Sequence, residues 1–488
     1  MTTHRQAIRI ATGLALGFSV LPASHAAAAT KPLKPAIACE ALQGQSFMNV
    51  EVTGATHVAA KGAVPGYCRV TGTERGTEHD LEVRLPDAWR GRYVQRGGGG
   101  FDGIIVPVGA SNPALVAGAA QGANNGGHRD MSGADLLNNP RGLERYAHGA
   151  ILIATRFGKA VTQAYYGTAP HHAYYDGCSN GGRGALNAAA KYGTEFDGVV
   201  AVAPTLNLTG QVSAWTRAAS LQLPSATQFA QIHAAAVARC DEADGAKDGV
   251  ISAWQRCDFD VARDVPASVG LTPAQVAAAT ALMTDLKTPD GKVVYSGYGL
   301  GNMALGAPAF PLFGTGHFRY IIENDANWSP AGFDPIAALP RSSEVLEKQY
   351  QFNPTVPDLV QYLKRGGRIM VWHGSDDALL SHRDMIRSWA DLTTAAGPAL
   401  SERSTRLYIA PGVGHCSGGP GADSIDLLTP LMEWVEAGKT PATLTAAKRD
   451  KPDAPPRFTR PLCRYPAYPR YTGKGDVNAA ANFACVAD

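Results

Sequence analysis

Hydrophobic positions alternate with polar ones in the segment DLEVRLP, where Leu81, Val83 and Leu85 are apolar. Successive side chains of a strand point to opposite faces of a sheet, so this spacing predicts a β-strand with one buried face. The segment RYVQR, residues 92–96, predicts a second strand that runs directly into the glycines at 97–100.

Several continuous apolar runs are typical of strands that a parallel sheet buries on both faces. They are GAILIATRF (149–157), AYYDG (173–177), GVVAVAP (198–204), GRIMVW (367–372) and TRLYIA (405–410). The segment GRGALNAAAKYG predicts a helix that ends at Gly193. Strands that alternate with helices predict an α/β fold, with a mostly parallel sheet covered by helices on both faces.

One stretch interrupts this alternation between Pro204 and about Asn353. It is richer in proline, glycine and aromatic residues, and it separates the strand that ends at Pro204 from the strand that begins at Arg368. We therefore predict an inserted lid domain over residues 205–353. The catalytic domain then comprises residues 30–204 and 354–488.

The amino terminus has the pattern of a secretory signal. His4, Arg5 and Arg9 precede an apolar stretch at about 11–21, and the small residues of PASHAAAA follow at 22–29. The apolar stretch is shorter than the roughly 20 residues that a membrane span requires, which argues against an anchor helix. We predict a signal peptide over residues 1–29 and a secreted or periplasmic protein that is not held in a membrane.

Composition and charge exclude some classes of partner. The chain of 488 residues is 45% hydrophobic and 18% charged, as expected for a globular protein with a full core. Its formal net charge is +2, and no long run of one sign provides a surface for nucleic acid or an anionic membrane. The sequence specifies no oligomeric state.

Eight cysteines in an exported chain predict disulfides rather than free thiols. No CxxC pair occurs, and no histidines follow at zinc-finger spacing. The spacing leaves the connectivity open, and the pairs that are close in sequence are Cys39 with Cys68, Cys240 with Cys257 and Cys463 with Cys485.

The segment GCSNG places Ser179 at the centre of a G-x-S-x-G motif, between a predicted strand and a predicted helix. This is the context of a nucleophile elbow, a tight turn that projects the central side chain outward. Ser179 is therefore the candidate nucleophile, whereas Cys178 points elsewhere.

A serine hydroxyl needs a histidine to take its proton and an acid to orient that histidine. Asp376, Asp377 and Asp384 follow the strand at 367–372, and His415 follows the strand at 405–410. The chain order serine, acid, histidine is the order of an α/β-hydrolase. We predict His415 as the base and Asp377, rather than its neighbour Asp376, as the acid.

Other histidines have more ordinary interpretations. His171, His172 and His382 are interpreted as solvated loop residues, and His373 as a structural histidine at the end of a strand.

The negative charge that develops during acyl transfer requires backbone donors. One candidate is the amide of Asn180, which follows the nucleophile and opens a helix. A second candidate is the glycine run at 97–100, where missing side chains allow the backbone to approach the substrate. The alternative is that these glycines form only a flexible turn.

Five segments together resemble the tannase and feruloyl esterase family, which also contains the mono(hydroxyethyl) terephthalate hydrolases. They are GGGGFDG (97–103), GCSNGGRGAL (177–186), HGSDD (373–377), GHCSGG (414–419) and RPLCRYPAYPRYTGKGD (460–476). The similarity runs from about Cys39 to Cys485. It implies an α/β-hydrolase fold, a catalytic triad of Ser179, Asp377 and His415, and Gly100 as an oxyanion donor.

The resemblance also implies a disulfide between Cys178 and Cys416, the neighbours of the catalytic serine and histidine. Such a bond would hold two distant loops in register. The resemblance supports the three local cysteine pairs as well.

An acidic loop in the predicted lid is a candidate metal site. Asp241, Asp244 and Asp248 lie close together between Cys240 and Cys257, and oxygen ligands of this kind suit calcium. A solvated acidic turn is the alternative that these residues leave open. The resemblance favours calcium, with backbone carbonyls supplied by Ala246 and Val250 and with a structural role, and it implies no organic cofactor.

Family members hydrolyse esters of hydroxycinnamic, gallic or terephthalic acids, so the resemblance implies a small aromatic ester as substrate. Phe101, Phe318, Trp328 and Phe333 are candidates for the walls of an aromatic acyl pocket, although lid aromatics often form a core. We expect a serine esterase of feruloyl type. The alternatives are a tannase, a mono(hydroxyethyl) terephthalate hydrolase, a peptidase, or a protein that only binds phenolic ligands.

Overall fold

The computed structural model describes residues 31–109 and 112–487. The signal peptide predicted over residues 1–29 lies outside this part of the chain. A ten-stranded mixed sheet forms the centre of the fold, and three two-stranded sheets accompany it. The strands are β1 (Ser46–Phe47), β2 (Val50–Val58), β3 (Tyr67–Glu74), β4 (Asp80–Pro86), β5 (Arg92–Arg96), β6 (Ala119–Asn124), β7 (His172–Cys178), β8 (Gly198–Val202), β9 (Leu286–Lys287), β10 (Val293–Tyr295), β11 (Arg368–Gly374), β12 (Thr405–Ala410), β13 (Leu444–Lys448), β14 (Phe458–Leu462), β15 (Tyr468–Tyr471) and β16 (Phe483–Val486).

The α-helices connect and cover these strands. They are α1 (Pro113–Val116), α2 (Pro140–Glu144), α3 (Ala150–Tyr166), α4 (Asn180–Tyr192), α5 (Leu208–Ala219), α6 (Ala226–Cys240), α7 (Val261–Asp264), α8 (Pro273–Met283), α9 (Leu339–Ser343), α10 (Val356–Lys364), α11 (His382–Ala396), α12 (Pro398–Ser404) and α13 (Leu428–Ala437). Shorter π-helical turns include Pro311–Thr315 and Phe318–Ile322.

The main sheet has the strand order β1-β2-β3-β4-β6-β5-β7-β8-β11-β12. Pairing is antiparallel from β1 to β6 and parallel from β6 to β12. The carboxyl ends of β7, β11 and β12 therefore meet at one edge of the sheet. Functional residues of open α/β sheets collect at this edge.

Helices cover both faces of the sheet, as predicted. On one face, a core built from α3, α4, α10 and α11 contains the fully buried Phe157 and Leu359. On the other face, α13 packs its buried Leu431 and Trp434 against Met370 of β11.

The sequence expectation for residues 149–157 is wrong. Residues 150–157 begin the 17-residue helix α3 rather than a strand. A short apolar run does not distinguish a buried strand from a buried helix, and here the buried positions continue at helical spacing to Tyr166. The position beside β5 is occupied instead by β6, whose sequence AAQGAN carries little hydrophobic signal.

Strand β4 is buried on both faces rather than one. Glu82 and Arg84 point away from the apolar positions but remain buried, because Arg84 Nε donates to Glu82 Oε1 at 2.6 Å and Arg84 Nη1 donates to Gln121 Oε1 at 2.7 Å. Buried charges are tolerated when they are paired in this way.

The segment predicted as a lid contributes most of the residues of one buried hydrophobic core. Trp215, Phe229, Phe310 and Phe318 are buried in it, and β9 pairs with β10. The same cluster includes Phe101, Ala378 and Leu380 of the sheet-edge loops. The segment therefore packs against the edge where β7, β11 and β12 end, while the domain boundaries themselves stay a prediction.

All eight cysteines form disulfides. The three local pairs and the pair Cys178–Cys416 are confirmed, with Cα atoms 5.4 to 6.0 Å apart. Within residues 31–109 and 112–487, no helix combines the length and the apolar character needed to cross a membrane.

Candidate active site

Ser179 occupies the turn between β7 and α4 with φ +63° and ψ −124°, a conformation that is costly for a residue with a side chain. The turn is tight because a Cβ atom on Gly177 would lie 2.4 Å from the carbonyl oxygen of Gly181. Ser179 N donates to the carbonyl oxygen of Val202 at 3.0 Å, which fixes the turn to β8. The predicted elbow is present. A side chain at Gly177 would collide with the backbone of Gly181, so the turn requires glycine there.

Asp377 and His415 are brought together from the ends of β11 and β12. His415 Nδ1 lies 2.8 Å from Asp377 Oδ2, and the carboxylate is buried. Asp377 Oδ1 accepts the backbone N–H groups of Leu379 and Leu380 at 2.8 and 2.9 Å. These bonds fix the carboxylate, and the carboxylate in turn orients the imidazole of His415.

His373 contacts the same carboxylate as His415 does. Its Nε2 atom lies 3.2 Å from Asp377 Oδ2 and 3.2 Å from the carbonyl oxygen of Leu380, and the ring is fully buried. The structural role predicted for His373 is thus a specific one, because this ring supplies a further hydrogen-bond donor to the candidate acid.

The pKa shifts of this pair follow from burial and charge. Burial alone would raise the pKa of Asp377, but the charge of His415 and the hydrogen bonds from His373 and His415 hold it well below its usual range. Burial alone would lower the pKa of His415, but the Asp377 carboxylate reverses this effect and raises that pKa above the ordinary histidine value. Asp377 therefore stays ionised and His415 is able to accept a proton.

The disulfide Cys178–Cys416 connects the elbow to the histidine loop. Its Cα atoms are 6.0 Å apart, and the bond joins the residue before Ser179 to the residue after His415. Cys416 has φ +62°, so both Ser179 and Cys416 lie in the left-handed region.

The glycine run at 97–100 packs directly against the start of α4. A Cβ atom on Gly97 would lie 2.6 Å from the Cα atom of Gly181. Gly100 has φ +59°, and its carbonyl oxygen accepts the hydroxyl of Tyr146 at 3.0 Å. The run is held close to the elbow, which argues against a merely flexible turn.

A hydrogen-bonded chain supports this contact. Asn180 Nδ2 donates to Asp102 Oδ1 at 2.8 Å, and Arg183 Nε donates to Asn180 Oδ1 at 2.8 Å. Burial raises the pKa of Asp102, and the hydrogen bond from Asn180 and the charge of Arg183 oppose this effect only in part. The chain connects the loop after Gly100 with the first turn of α4.

Ser179, Gly100 and Asn180 line one cavity, hereafter the Ser179 cavity. Its other walls include Tyr146, Arg183, Gln211, Trp215, Phe313, His317 and Leu379. None of these other wall residues was predicted from the sequence. The one available signal was the density of aromatic residues in the predicted lid.

The predicted aromatic walls are placed differently. Phe101 is buried behind the cavity, with its ring centroid 4.7 Å from His317 and 5.6 Å from Phe313. Phe318, Trp328 and Phe333 do not line the cavity but pack on one another, with centroid distances of 4.7 to 6.0 Å. Their rings contribute to the hydrophobic core of the lid, and their part in a substrate pocket stays a prediction.

His382 is also not a solvated loop residue. It begins α11, is fully buried, and packs edge-on against Trp254 with centroids 4.6 Å apart. Burial lowers its pKa well below the ordinary value, so it is neutral.

The acidic loop is buried rather than solvated at two of its three aspartates. Asp241 Oδ1 accepts the N–H groups of Gly249 and Val250 at 3.0 and 3.1 Å, and Asp248 pairs with Arg460. Asp244 is fully buried, and its Oδ2 atom has no hydrogen-bond partner in the described part of the chain. This orphaned carboxylate oxygen fits a hard cation.

The side chains alone do not complete a metal site. Among the residues that the structure describes, no group of three or more His, Cys, Asp and Glu side chains is arranged to hold a metal ion. Backbone carbonyls such as those predicted at Ala246 and Val250 would be needed, and the calcium site stays a prediction.

Comparison with known proteins adds to this geometry. The family model described as tannase and feruloyl esterase matches residues 66–316 and 313–486. A probable feruloyl esterase of Arthroderma benhamiae is 32% identical over 444 residues, which cover 83% of this chain and 81% of the relative.

Two further relatives are similar over most of their length. The mono(2-hydroxyethyl) terephthalate hydrolase of Piscinibacter sakaiensis is 28% identical over 572 residues, covering 93% of this chain and 92% of the relative. The crystal structure of feruloyl esterase B from Aspergillus oryzae matches with a TM-score of 0.79 over 91% of this chain and 98% of that chain, at 24% identity. This likeness establishes a shared fold.

Proposed function

Because the chain belongs to the tannase and feruloyl esterase family of carboxylic ester hydrolases, we propose that it is a secreted serine esterase for esters of aromatic acids. The observation that carries the proposal is the pairing of His415 with Asp377 at 2.8 Å, tied by the Cys178–Cys416 disulfide to the Ser179 elbow. Feruloyl and related hydroxycinnamoyl esters are the proposed substrates.

Ser179 attacks the ester carbonyl carbon while His415 takes the serine proton. Neutral His415 holds its proton on Nδ1, toward Asp377 Oδ2, and this leaves Nε2 as the base. As His415 becomes an imidazolium, the buried carboxylate stabilises the new charge without a change in its own protonation. The raised pKa of His415 favours this transfer.

The carbonyl oxygen becomes an anion in the tetrahedral intermediate. The proposed donors are the backbone amides of Gly100 and Asn180, which line the same cavity as Ser179. Asn180 lies at the amino end of the 13-residue helix α4, where the helix dipole adds to the stabilisation. Donors fixed before the reaction need no reorganisation, and each is worth about 3–4 kcal/mol in comparable enzymes.

The intermediate then expels the alcohol, which receives its proton from His415 Nε2. The product is an ester between the acyl group and Ser179 Oγ. His415 next takes a proton from water, the water oxygen attacks the acyl carbon, and Ser179 Oγ leaves with that proton. The acid is released and the enzyme is restored, with no organic cofactor in the reaction.

The proposal of an aromatic acyl group is supported by the walls of the Ser179 cavity. Trp215 and Phe313 are 5.4 Å apart between ring centroids, and Phe313 approaches Gly100, since a Cβ on Gly100 would lie 3.5 Å from its ring. A planar acyl group beside the oxyanion donors would contact these rings. Galloyl esters and mono(2-hydroxyethyl) terephthalate are the alternative substrates.

Calcium is proposed as a structural ion in the loop between Cys240 and Cys257. Asp241, Asp244 and Asp248, with the carbonyls of Ala246 and Val250, are the residues that would hold it. Bound calcium would neutralise the buried charge of this loop and supply no chemistry to the ester. Support comes from the orphaned Asp244 Oδ2.

Export is proposed from two features. Four disulfides fit an oxidising compartment, and the predicted signal at residues 1–29 would direct the chain there.

Steady-state hydrolysis tests the proposal directly. We expect wild-type protein to hydrolyse p-nitrophenyl acetate, methyl ferulate, methyl gallate and mono(2-hydroxyethyl) terephthalate with the highest kcat/KM for methyl ferulate, and Ser179→Ala to abolish all four. Correctly folded wild-type protein that binds ferulate but turns over no ester would instead favour a phenolic-ligand binding protein.

A further inference from the structure

Arg183 is a buried cation in the first turn of helix α4, four residues after Ser179. It is 3% exposed, and it lines the same cavity as Ser179 and Asn180. Burial lowers the pKa of Arg183, but a guanidinium is not deprotonated inside proteins. A full positive charge is therefore enclosed in the wall of the cavity that holds the candidate nucleophile.

The hydrogen-bond acceptors of this guanidinium are neutral. Arg183 Nε donates to Asn180 Oδ1 at 2.8 Å. Nη1 donates to the carbonyl oxygens of Ala147 and Phe352 at 2.7 and 3.0 Å, and Nη2 donates to the carbonyl oxygen of Tyr146 at 3.0 Å. The rings of Tyr146 and Phe352 have their centroids 5.5 and 5.2 Å from Cζ. Carbonyl dipoles and ring faces thus solvate the charge without cancelling it.

Asp102 is an acid that acts on this charge, and the side chain of Asn180 stands between the two groups. Asn180 Oδ1 accepts from Arg183 Nε, whereas Asn180 Nδ2 donates to Asp102 Oδ1 at 2.8 Å. Burial raises the pKa of Asp102, so the surroundings disfavour its charged form. The charge of Arg183 is thus balanced at a distance, through an intervening amide.

This placement of Arg183 is unfavourable in the free protein for two reasons. Enclosing a charge away from water is costly unless an opposite charge pairs with it closely. A cation near the amino end of a helix also meets the positive end of the helix dipole, and the first turn of α4 contains no acidic residue. Both effects become favourable once a negative charge forms beside the amino end of α4.

We propose that Arg183 supplies positive potential to the oxyanion of the tetrahedral intermediate and positions Asn180, whose amide is a proposed donor. This inference rests on the proposed function and deepens it. The charge is fixed before the reaction, so it needs no reorganisation as the oxyanion forms. Arg183 is a positioning residue, because its planar guanidinium holds the Asn180 side chain and does not contact the ester.

The physical consequence is a difference between the bound ester and the intermediate. A neutral ester gains little from a positive potential, whereas an anionic intermediate gains much. Loss of the charge should therefore lower kcat and leave KM nearly unchanged. An inhibitor that becomes anionic on Ser179 should lose affinity in parallel with kcat.

Hydrolysis of p-nitrophenyl acetate and inhibition by phenylboronic acid test the inference together, because a boronic acid forms an anionic tetrahedral adduct with a reactive serine. In Arg183→Met we expect kcat to fall about 100-fold and KM to stay within about twofold. The Ki of phenylboronic acid should rise by the factor by which kcat falls. Arg183→Lys keeps the charge without the planar fork, so it should retain at least about a tenth of the wild-type kcat.

Arg406→Met is the matched control for loss of a buried arginine as such. Arg406 is also 3% exposed, donates to backbone carbonyl oxygens, and has the ring centroid of Trp434 5.0 Å from Cζ. It lies near the amino end of β12, whereas the site lies at the carboxyl end. Its loss should lower Tm and leave kcat and Ki near their wild-type values.

Two results with the arginine variants overturn the inference. One is a folded Arg183→Met protein with wild-type kcat and Ki. The other is an equal loss of kcat in Arg183→Lys and Arg183→Met, because the charge would then not be the cause.

A second pair of variants tests the charge with Arg183 in place, so the inference does not depend on whether Arg183→Met folds. Asn187 lies one turn further along α4 and is fully buried. Its Nδ2 donates at 2.9 Å to the carbonyl oxygen of Phe352, which also accepts from Arg183 Nη1. Asn187→Asp brings a carboxylate near the guanidinium, whereas Asn187→Leu removes the same hydrogen bond without adding charge. We expect kcat to be at least about tenfold lower in Asn187→Asp than in Asn187→Leu, and equal values overturn the inference.

Failure of the inference is distinguishable from failure of the proposed function. If p-nitrophenyl acetate hydrolysis is lost in Ser179→Ala while Arg183→Met keeps the wild-type kcat, the serine esterase stands and the role of Arg183 is wrong. If that hydrolysis survives in Ser179→Ala, the proposed function itself is wrong, and the inference falls with it.

Discussion

Cys178 and Cys416 are 238 residues apart in sequence, and a disulfide holds their Cα atoms 6.0 Å apart. The bond joins the loop of the candidate nucleophile to the loop of the candidate base. Asp377 holds His415 only through a hydrogen bond, so the disulfide is the one covalent link among the three positions. We therefore expect the relative position of Ser179 and His415 to depend on this bond.

The first prediction concerns that bond. In Cys178→Ala/Cys416→Ala, kcat should fall by about tenfold or more while KM changes much less, because displaced catalytic groups affect the transition state most. Steady-state kinetics on a short p-nitrophenyl ester provides the measurement.

Cys39→Ala/Cys68→Ala is the matched control for loss of a disulfide as such. It removes a disulfide between cysteines that are 29 residues apart in sequence and lie outside the site. This change should lower Tm and leave kcat near the wild-type value. Equal kcat losses in both double variants would show that the Cys178–Cys416 bond serves only stability.

Replacement of Asp377 by Asn should reduce kcat by roughly 10³- to 10⁴-fold, because the amide no longer holds the imidazole in the required tautomer. The acid limb of the kcat/KM profile should also move to lower pH. The Asp377 carboxylate raises the pKa of His415, so its loss leaves burial to lower that pKa, and the active neutral form persists further into acid.

Asp376→Asn is the natural control, since Asp376 bonds to Ser375 and not to His415. We expect its pH profile to keep the wild-type acid limb. If the acid limb of the kcat/KM pH profile instead moved in Asp376→Asn and stayed in place in Asp377→Asn, Asp376 and not Asp377 would be the acid of the site.

Asp102 is predicted to be a positioning residue for the oxyanion donors. Asp102→Ala removes the acceptor of Asn180 Nδ2, so the glycine run and the first turn of α4 lose a shared bond. We expect kcat to fall about tenfold with KM within about twofold, since loss of a whole oxyanion donor costs more. Asp87→Ala, at an exposed aspartate paired with His57, should leave both constants unchanged, and an equal effect of the two changes would argue against positioning by Asp102.

Calcium should stabilise the protein without entering the reaction. After chelation and dialysis, we expect Tm to fall by several degrees and added calcium to restore it, because a bound ion stabilises the folded state. Asp244→Ala should remove this response, whereas Asp258→Ala, at an exposed aspartate next to Cys257, should keep it. Unchanged Tm on addition of calcium, with no metal found by elemental analysis, would exclude the site.

The parts of the site that are local in sequence were predictable. The elbow around Ser179 needs glycines at fixed spacing, and His415 follows a strand of clear apolar character. The pairing of Cys178 with Cys416 was implied by family resemblance and is present in the structure.

The walls of the Ser179 cavity were not predictable from the sequence. Gln211 and Trp215 come from α5, whereas Phe313 lies in a π-helical turn about a hundred residues later and His317 just precedes the next such turn, and no spacing links them. An aromatic ring such as that of Trp328 looks the same in sequence whether it faces a cavity or a core. The start of helix α3 resembles a strand in sequence, because a short run of apolar residues fits a buried strand as well as a buried helix.

Transient kinetics on Ser179 tests the central claim most directly. Rapid mixing of wild-type protein with a p-nitrophenyl ester should give a burst of about one p-nitrophenol per active site, and acid quench with peptide mapping should find the acyl group on Ser179 Oγ. A burst that persists in Ser179→Ala, or an acyl group on another residue, would contradict the account.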